Sequence, residues 1–324
     1  MMLLDLSQVM FGQIHTELAR QNETLNEDLI RHLAINQIRS YNKRFRGKYG
    51  ELVICLDSAG GYWRKEVFPY YKWKRAEDRK SDGIDWPTVF EAMNKLRDEI
   101  REELPFMTLH VEQCEADDII GVLTRRSPDE MNLIISSDKD FRQLQVFGND
   151  QYSPITKEMV VEKQPEFYLF EHIMRGDSGD GIPNIRAPRD FFKQKADGFL
   201  KKQPPISQKW IQTKWSEYRE IGDQTFRNDG EDIYNRWRDN LQLVDLVHAI
   251  PNSIENKIWS EFVWWQGYNP ARTIDLYKYF RKNRMTRLIE DIADFDIRTD
   301  EQNKENFYNK LSDAGPGAPT LDFD

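Results

Sequence analysis

The chain has 324 residues, enough to bury a full core as one large domain or two modest ones. Its 55 acids against 46 Lys and Arg give a net charge of -9, which excludes indiscriminate nucleic-acid binding through a general basic excess unless the acids are gathered and neutralised in one place. No run approaches the roughly 18 apolar residues of a membrane span, and Cys55 and Cys114 lack CxxC or CxxH spacing, which excludes a disulfide framework or cysteine zinc site and fits a reducing, cytosolic setting.

MLLDLS (residues 2–7) reads as the first of four buried parallel strands, short, apolar and closed by polar residues. Helical periodicity over residues 27–45 puts Leu29, Leu33, Asn36, Ile38 and Tyr41 near one face. The second strand is ELVICLDS (51–58). GYWRKEVFPYYKWKRAEDRK (61–80) then interleaves aromatics with a basic run, and the polar stretch 77–85 reads as a mobile segment that could thread or clamp a nucleic-acid strand. A helix over 86–104 presents Val89, Met93, Leu96 and Ile100. FMTLHVE (106–112) is the third strand, EADDIIGVL opens a helix, and NLIISSD (132–138) is the fourth. YSPITKEMVVE (152–162) reads as an added hairpin with its turn near 156–158. Beyond about residue 164 the strand signal stops and short aromatic-rich helices follow.

The expected fold class is therefore α/β: a mostly parallel central sheet with helices on both faces over 1–163, and a smaller helical C-terminal region over 164–312 with a helix-turn-helix-like DNA-binding turn. Residues 313–324 have little to bury and read as a flexible tail. Its LDFD end alternates apolar and acidic residues like a short partner peptide, although a frayed terminus explains it more simply.

In an open parallel sheet, ligands bind beyond the carboxyl ends of the strands. Asp5, Asp57 and Asp138 stand at three of those ends, Asp140 follows two residues later, and Glu115, Asp117 and Asp118 open a helix. Singly, each is explained by helix capping, dipole complementation or a turn. Their coincidence on one rim is not, because packed like charges must be protonated or paired with cations. Lys139, between two of them, should point away from both if the chain is extended there. Oxygen-only ligands favour Mg²⁺ or Mn²⁺, and six or more carboxylates suit a two-metal site with ions about 4 Å apart.

Asp177 and Asp180 in the Gly-rich GDSGD turn (176–180) would alone be a loop, or would show backbone groups to a DNA phosphate while one acid reaches the metals. The basic segment alone reads as a solvated helix, but beside an acidic rim its cations could follow phosphates and its rings stack on bases. If it is one helix, Arg64 and Lys72 lie two turns apart, and spacing equally allows Lys65 as the partner of Lys72.

LLDLSQ (3–8), CLDSAGGYWRKEVFPYYK (55–72), EADD (115–118), ISSDKDF (135–141) and GDSGD, in that order, resemble the flap endonuclease and 5' nuclease superfamily over nearly the whole chain, nearest the ribonucleases H of T-even-like bacteriophages. The resemblance implies a PIN-like 5' nuclease fold. It also implies a Mg²⁺-dependent 5' to 3' exonuclease and flap endonuclease acting on RNA/DNA and DNA/DNA duplexes. Such an enzyme removes RNA primers from lagging-strand fragments in phage replication, by two-metal in-line hydrolysis that leaves a 5'-phosphate.

On this resemblance Asp5, Asp57, Glu115 and Asp117 would hold the first ion and Asp138, Asp140 and Asp180 the second, with Asp118 and Asp177 as outer members. Arg64 and Lys72 would meet the scissile phosphate, with Lys65, Lys74 and Arg75 along the strand. Residues 181–192 lack the repeated glycines that hold a monovalent cation in cellular relatives, so Arg186, Arg189 and Lys193 are expected on the duplex instead. Implied partners are forked or flapped DNA, a single-stranded DNA-binding protein and a sliding clamp, for a monomer in the cytoplasm of an infected bacterium.

A non-catalytic fork-binding replication factor is the alternative, but an inactive descendant would have lost acids and every matching position is acidic. A PIN-type ribonuclease would not need the helical half. A nucleotide-binding Rossmann protein would need GxGxxG after the first strand.

Overall fold

The structure, a computed structural model, describes residues 1–19, 26–79, 84–128, 130–267 and 275–295. The first half runs β1 (Met2–Asp5), α1 (Leu6–Ala19), α2 (Glu27–Tyr49), β2 (Leu52–Leu56), α3 (Trp63–Val67), α4 (Trp73–Asp78), α5 (Trp86–Glu103), β3 (Met107–His110), α6 (Ala116–Arg126) and β4 (Leu133–Ile135). A 3-10 helix (Lys139–Phe147), β5 (Asp150–Ser153) and β6 (Glu158–Val160) complete it. Helices α7 (Pro165–Arg175), α8 (Phe191–Ala196), α9 (Gln208–Ile221), α10 (Gln224–Arg227), α11 (Glu231–Val244) and α12 (Asn252–Gly267) follow, then α13 (Leu276–Lys282), α14 (Thr286–Glu290) and a closing 3-10 turn (Ile292–Phe295).

Local chemistry accounts for the long helices. In α2 the Asn26 side chain accepts from Leu29 N at 2.9 Å, Glu27 and Asp28 sit in the first turn, and Arg46 and Lys48 sit in the last, each matched to the helix dipole. Its buried stripe runs through Ile30, Ala34, Ile38 and Tyr41, one step round from the expected face: Leu29, Leu33 and Asn36 are only half-buried. In α5 Asp85 caps Thr88 N, and Val89, Leu96 and Ile100 are buried as expected, with Ala92 rather than Met93 beside them.

The six strands lie in the order β3-β2-β1-β4-β5-β6. β1 pairs in parallel with β2 on one side and β4 on the other, with Leu3 opposite Val53 and Ile134. The chain order therefore turns round at β1, which opens a crevice beyond the carboxyl ends of β1, β2 and β4. The expected hairpin is there, but β5 runs parallel to β4, so only β6 is antiparallel.

Strand residues alternate between two cores. Leu4, Ile54, Leu56 and Ile135 pack with Ile35, Ile38, Leu96 and Ile100 of α2 and α5, whereas Leu3, Val53, Cys55 and Ile134 pack with Ile119, Ile120 and Leu123 of α6. Gly121 lets the segment after α11 approach α6 closely, since a Cβ there would stand 2.7 Å from the Leu246 carbonyl oxygen.

The strand signal does end where expected, but the helical part is not a separate body. Phe170, Met174, Phe226 and Trp237 form a third core that also takes in Phe68 and Tyr71 of the basic segment. After α11 the chain returns to the sheet: Ile254, Ile258 and Phe262 join the α6 side, and Phe280, Leu288 and Phe295 join the α2 side. The division at 163/164 thus marks a change of secondary structure, and a change of core for α7 to α11 but not for α12 to α14. No helix among the described residues is long and apolar enough to cross a membrane. The tail 313–324, and 80–83 of the expected mobile stretch, lie outside the described residues.

Candidate active site

The crevice collects the strand-end acids. Asp5 closes β1 and accepts from Gln8 N and Ser136 Oγ, each at 3.0 Å. Asp57 follows β2 and accepts from Ala116 N at 2.8 Å, which ties it to the start of α6. Asp138 caps the 3-10 helix by accepting from Asp140 N at 2.9 Å, and Asp117 stands in the first turn of α6.

Burial, then the charges of Asp57 and Asp138, push the Asp5 carboxyl up to about 7 despite its two hydrogen bonds. Burial, then Asp138 and Asp5, hold Asp117 well above the usual carboxylate range. Asp57 is raised mainly by burial. Among the described residues, none of Asp5, Asp57, Asp117 and Asp138 is in an ion pair with a Lys, Arg or His. A buried, all-oxygen group whose members raise one another's pKa, and which feels Lys72 only at a distance through Asp57 and Asp117, fits a hard divalent cation.

Glu115 and Asp118 differ. Glu115 is buried, its Oε2 accepting from Arg64 Nη1 and Tyr71 Oη, both at 2.9 Å, while Oε1 pairs with Lys72. Burial would raise its pKa, but Lys72 and Arg64 outweigh burial and hold it low. Asp118 is fully buried and accepts from Trp63 Nε1 (3.1 Å) and Glu115 N (3.0 Å), with Arg64 Nη2 at 2.8 Å. Its partners leave it to position Arg64, which corrects the expected outer metal role.

Arg64 is also corrected. It is 1% exposed, and its Nε donates to Leu243 O at 2.9 Å, so its guanidinium faces the core and not the rim. The expected continuous helix breaks after Val67, ahead of Pro69, and the chain restarts at Lys72 with φ +56°. Arg64 consequently points under Glu115, while the Lys72 ammonium arrives at the rim, 3.7 Å from Asp180 Oδ2 and over the Tyr71 ring. The second cation there is Arg75, partly exposed and paired with Asp180. Lys65 and Lys74 are exposed on the same segment.

The second acidic turn follows α7. Gly176, at φ +65°, admits no side chain, because a Cβ would sit 2.4 Å from the carbonyl oxygens of Ile182 and Pro183. Asp177 Oδ1 accepts from Gly179 N at 2.7 Å, and its Oδ2 meets Lys139 Nζ at 2.7 Å and His172 Nε2 at 3.3 Å. Among the described residues Lys139 pairs with neither neighbour, Asp138 or Asp140, but with Asp177: residues 139–147 are helical, not extended as that expectation supposed, and swing it there. Against burial, His172 and Lys139 hold the Asp177 carboxyl well below the usual range.

His172 escaped the sequence reading. It sits one turn before the GDSGD motif on the buried face of α7, with Nδ1 3.5 Å from Asp140 Oδ1. Its place five residues ahead of Asp177, among apolar neighbours, was the available signal. Burial, with Asp138 and Asp177, pushes Asp140 up to about 7 although His172 opposes this. Burial lowers the His172 pKa but the Asp177 hydrogen bond and the Asp140 charge outweigh it, so the imidazole is raised.

Beyond the turn, Arg186 is exposed, donates to Pro205 O at 2.9 Å and lies over Trp210. Arg189 donates to Val67 O at 3.0 Å and pairs with Asp239 at 3.0 Å, so it ties the turn to the basic segment. Lys193 is exposed, 5.9 Å over the Tyr70 ring.

The family model described as 5'-3' exonuclease, N-terminal resolvase-like domain, matches residues 1–166, and the model described as T4 RNase H, C terminal, matches residues 163–295. The chain is 30% identical over 296 residues to the ribonuclease H of Enterobacteria phage T4, covering 88% of this chain and 94% of that one. It is also 30% identical over 154 residues to a 5'-3' exonuclease of Buchnera aphidicola subsp. Schizaphis graminum, covering 44% of this chain and 50% of that one. The structure of the bacteriophage T5 flap endonuclease in a pseudo-enzyme-product complex with DNA and metal ions has the same fold, with a TM-score of 0.55 at 17% identity over 81% of this chain and 97% of that one. A second T5 structure, co-crystallized with metal ions, gives 0.54 at 19% identity over 81% and 98%. The chain belongs to the 5'-3' exonuclease family of metal-dependent nucleases, on the branch of the bacteriophage T4 ribonuclease H.

Proposed function

We propose that the chain is a Mg²⁺-dependent 5' to 3' exonuclease and flap endonuclease, acting on RNA/DNA and DNA/DNA duplexes and removing RNA primers from lagging-strand fragments during phage DNA replication. The observation that carries this reading is the convergence of Asp5, Asp57, Asp117 and Asp138, the first three raised in pKa mainly by burial and none of the four in an ion pair among the described residues. Those four would hold the first ion, and Asp140, Asp177 and Asp180 would border the second. When bound, the ions supply charge neutralisation at the phosphate and a more acidic attacking water.

The chain's own residues do the rest. Glu115 and Tyr71 fix Lys72 at the rim, where its ammonium meets the scissile phosphate, and Arg75 stands beside it. Lys65 and Lys74 follow the strand backbone on one side, and Arg186 and Lys193 follow the duplex on the other. Arg189 supports that surface from below. The DNA complex of the T5 relative supports flapped DNA as substrate. A single-stranded DNA-binding protein and a sliding clamp are the partners we assign to a monomer working in the infected host's cytoplasm.

Digestion of 5'-labelled flaps and of RNA-primed duplexes, sized at nucleotide resolution, should give short 5' products with Mg²⁺ and none with EDTA. Fork binding without cleavage under Mg²⁺ would leave the non-catalytic reading in its place. Lys72→Ala should slow single-turnover cleavage by roughly 10²-fold while fork affinity stays within about 3-fold, as for loss of one charge-stabilising donor. An unchanged single-turnover rate with weaker binding would remove Lys72 from the chemical step.

A further inference from the structure

One buried group is left over when the acids have been assigned. The imidazole of His172 is 7% exposed, lies between two carboxylates, and uses only one of its nitrogens. Nε2 stands 3.3 Å from Asp177 Oδ2, whereas His172 Nδ1 and Asp140 Oδ1 face each other at 3.5 Å, both buried and both without a hydrogen-bond partner among the described residues. Leaving two buried polar atoms unsatisfied costs free energy. An imidazolium bridging both acids would satisfy them, but it needs an Nδ1–H bond to Asp140 and 3.5 Å is too long for a good one. That gap is instead the edge of a coordination polyhedron: ligands about 2.0–2.2 Å from a tetrahedral ion stand roughly 3.3–3.6 Å apart.

The other side of the ring supports this. In the neutral tautomer with Nε2–H donating to Asp177, the Nδ1 lone pair faces Asp140, and Asp177 is itself held by Lys139 at 2.7 Å. A carboxylate behind an imidazole is the arrangement that fixes the tautomer and orientation of a metal-bound histidine.

We infer that His172 Nδ1 and Asp140 form a mixed nitrogen–oxygen site, so that the second metal position accepts a first-row transition ion in preference to Mg²⁺. Imidazole nitrogen favours such ions over Mg²⁺, which takes oxygen ligands and keeps its waters. The inference rests on the reading of the rim as a metal centre and adds a nitrogen donor to it.

Co²⁺ is the probe. Calorimetric titration of Co²⁺ into the Mg²⁺-saturated protein should show one site whose Co²⁺ affinity falls by about 10-fold or more in His172→Gln, while Mg²⁺ affinity changes by less than about 2-fold. Since His172→Gln also removes a partner of Asp177, the wild-type protein provides a second readout: the Co²⁺ complex should show a hyperfine-shifted imidazole N–H proton that disappears in D2O. Equal Co²⁺ affinity in a folded variant, or bound Co²⁺ without that proton, would overturn the inference and leave the nuclease reading intact. No uptake of Co²⁺ or Mg²⁺ by the wild type would overturn both.

Discussion

Asp117→Asn should lower the single-turnover cleavage rate by about 10³-fold, near 4 kcal/mol of activation free energy, and at the same time raise the melting temperature of the metal-free protein at neutral pH. Both effects have one origin. Burial and the charges of Asp138 and Asp5 hold Asp117 well above the usual carboxylate range. A carboxyl with a raised folded-state pKa binds its proton more tightly in the folded chain, so the folded state carries more protons and stability falls as pH rises between the unfolded and folded values. For Asp5 that window runs from 3.8 to about 7, and for Asp117 it extends upward from the same start.

The metal-free wild type should therefore lose stability across this window relative to the Asn variant, which lacks the charge. A divalent ion takes the place of the protons, so the rise in melting temperature given by Mg²⁺ should grow over the same pH range and shrink in Asp117→Asn. Scanning calorimetry of both proteins with EDTA and with Mg²⁺ between pH 5 and pH 8 reads all of this. An Asn variant that melts below wild type in EDTA at pH 8 would show that the acids do not oppose one another in the folded chain.

Much of the rim's geometry was legible in the sequence because parallel strands buried on both faces are continuous apolar runs, and the acids that line it follow directly where those runs stop. Asp5, Asp57 and Asp138 needed only the alternation of strands and helices to be placed on one edge. What was not legible depends on partners far along the chain. Whether Arg64 faces a phosphate or the core is decided by the break before Lys72 and by the Leu243 carbonyl, 179 residues away. Asp118 is withdrawn from the rim by Trp63 and Arg64, which local capping rules cannot foresee. The pairing of Lys139 with Asp177 was not foreseen because strand alternation was extended past Ser136 into residues that fold as a 3-10 helix. The return of α12 to α14 onto the sheet is invisible locally, since a helix carries the same apolar stripe whichever core it covers.

The buried position of Arg64 sets a large expected stability effect. Arg64→Ala should cost about 3–5 kcal/mol in urea unfolding, because it leaves Glu115 and Asp118 as buried carboxylates beside an unpaired Leu243 carbonyl. Arg64→Lys keeps the charge but replaces a planar fork that serves three acceptors with a single point, so it should recover only part of the loss. The same pair of variants separates support from contact. If Arg64 acts by holding Glu115, which in turn holds Lys72, then the folded fraction of Arg64→Lys should bind forked DNA as the wild type does and be slowed in cleavage alongside Lys72→Ala, without additivity between the two. A direct phosphate contact predicts the reverse pattern: wild-type stability, with fork binding weakened and less dependent on salt.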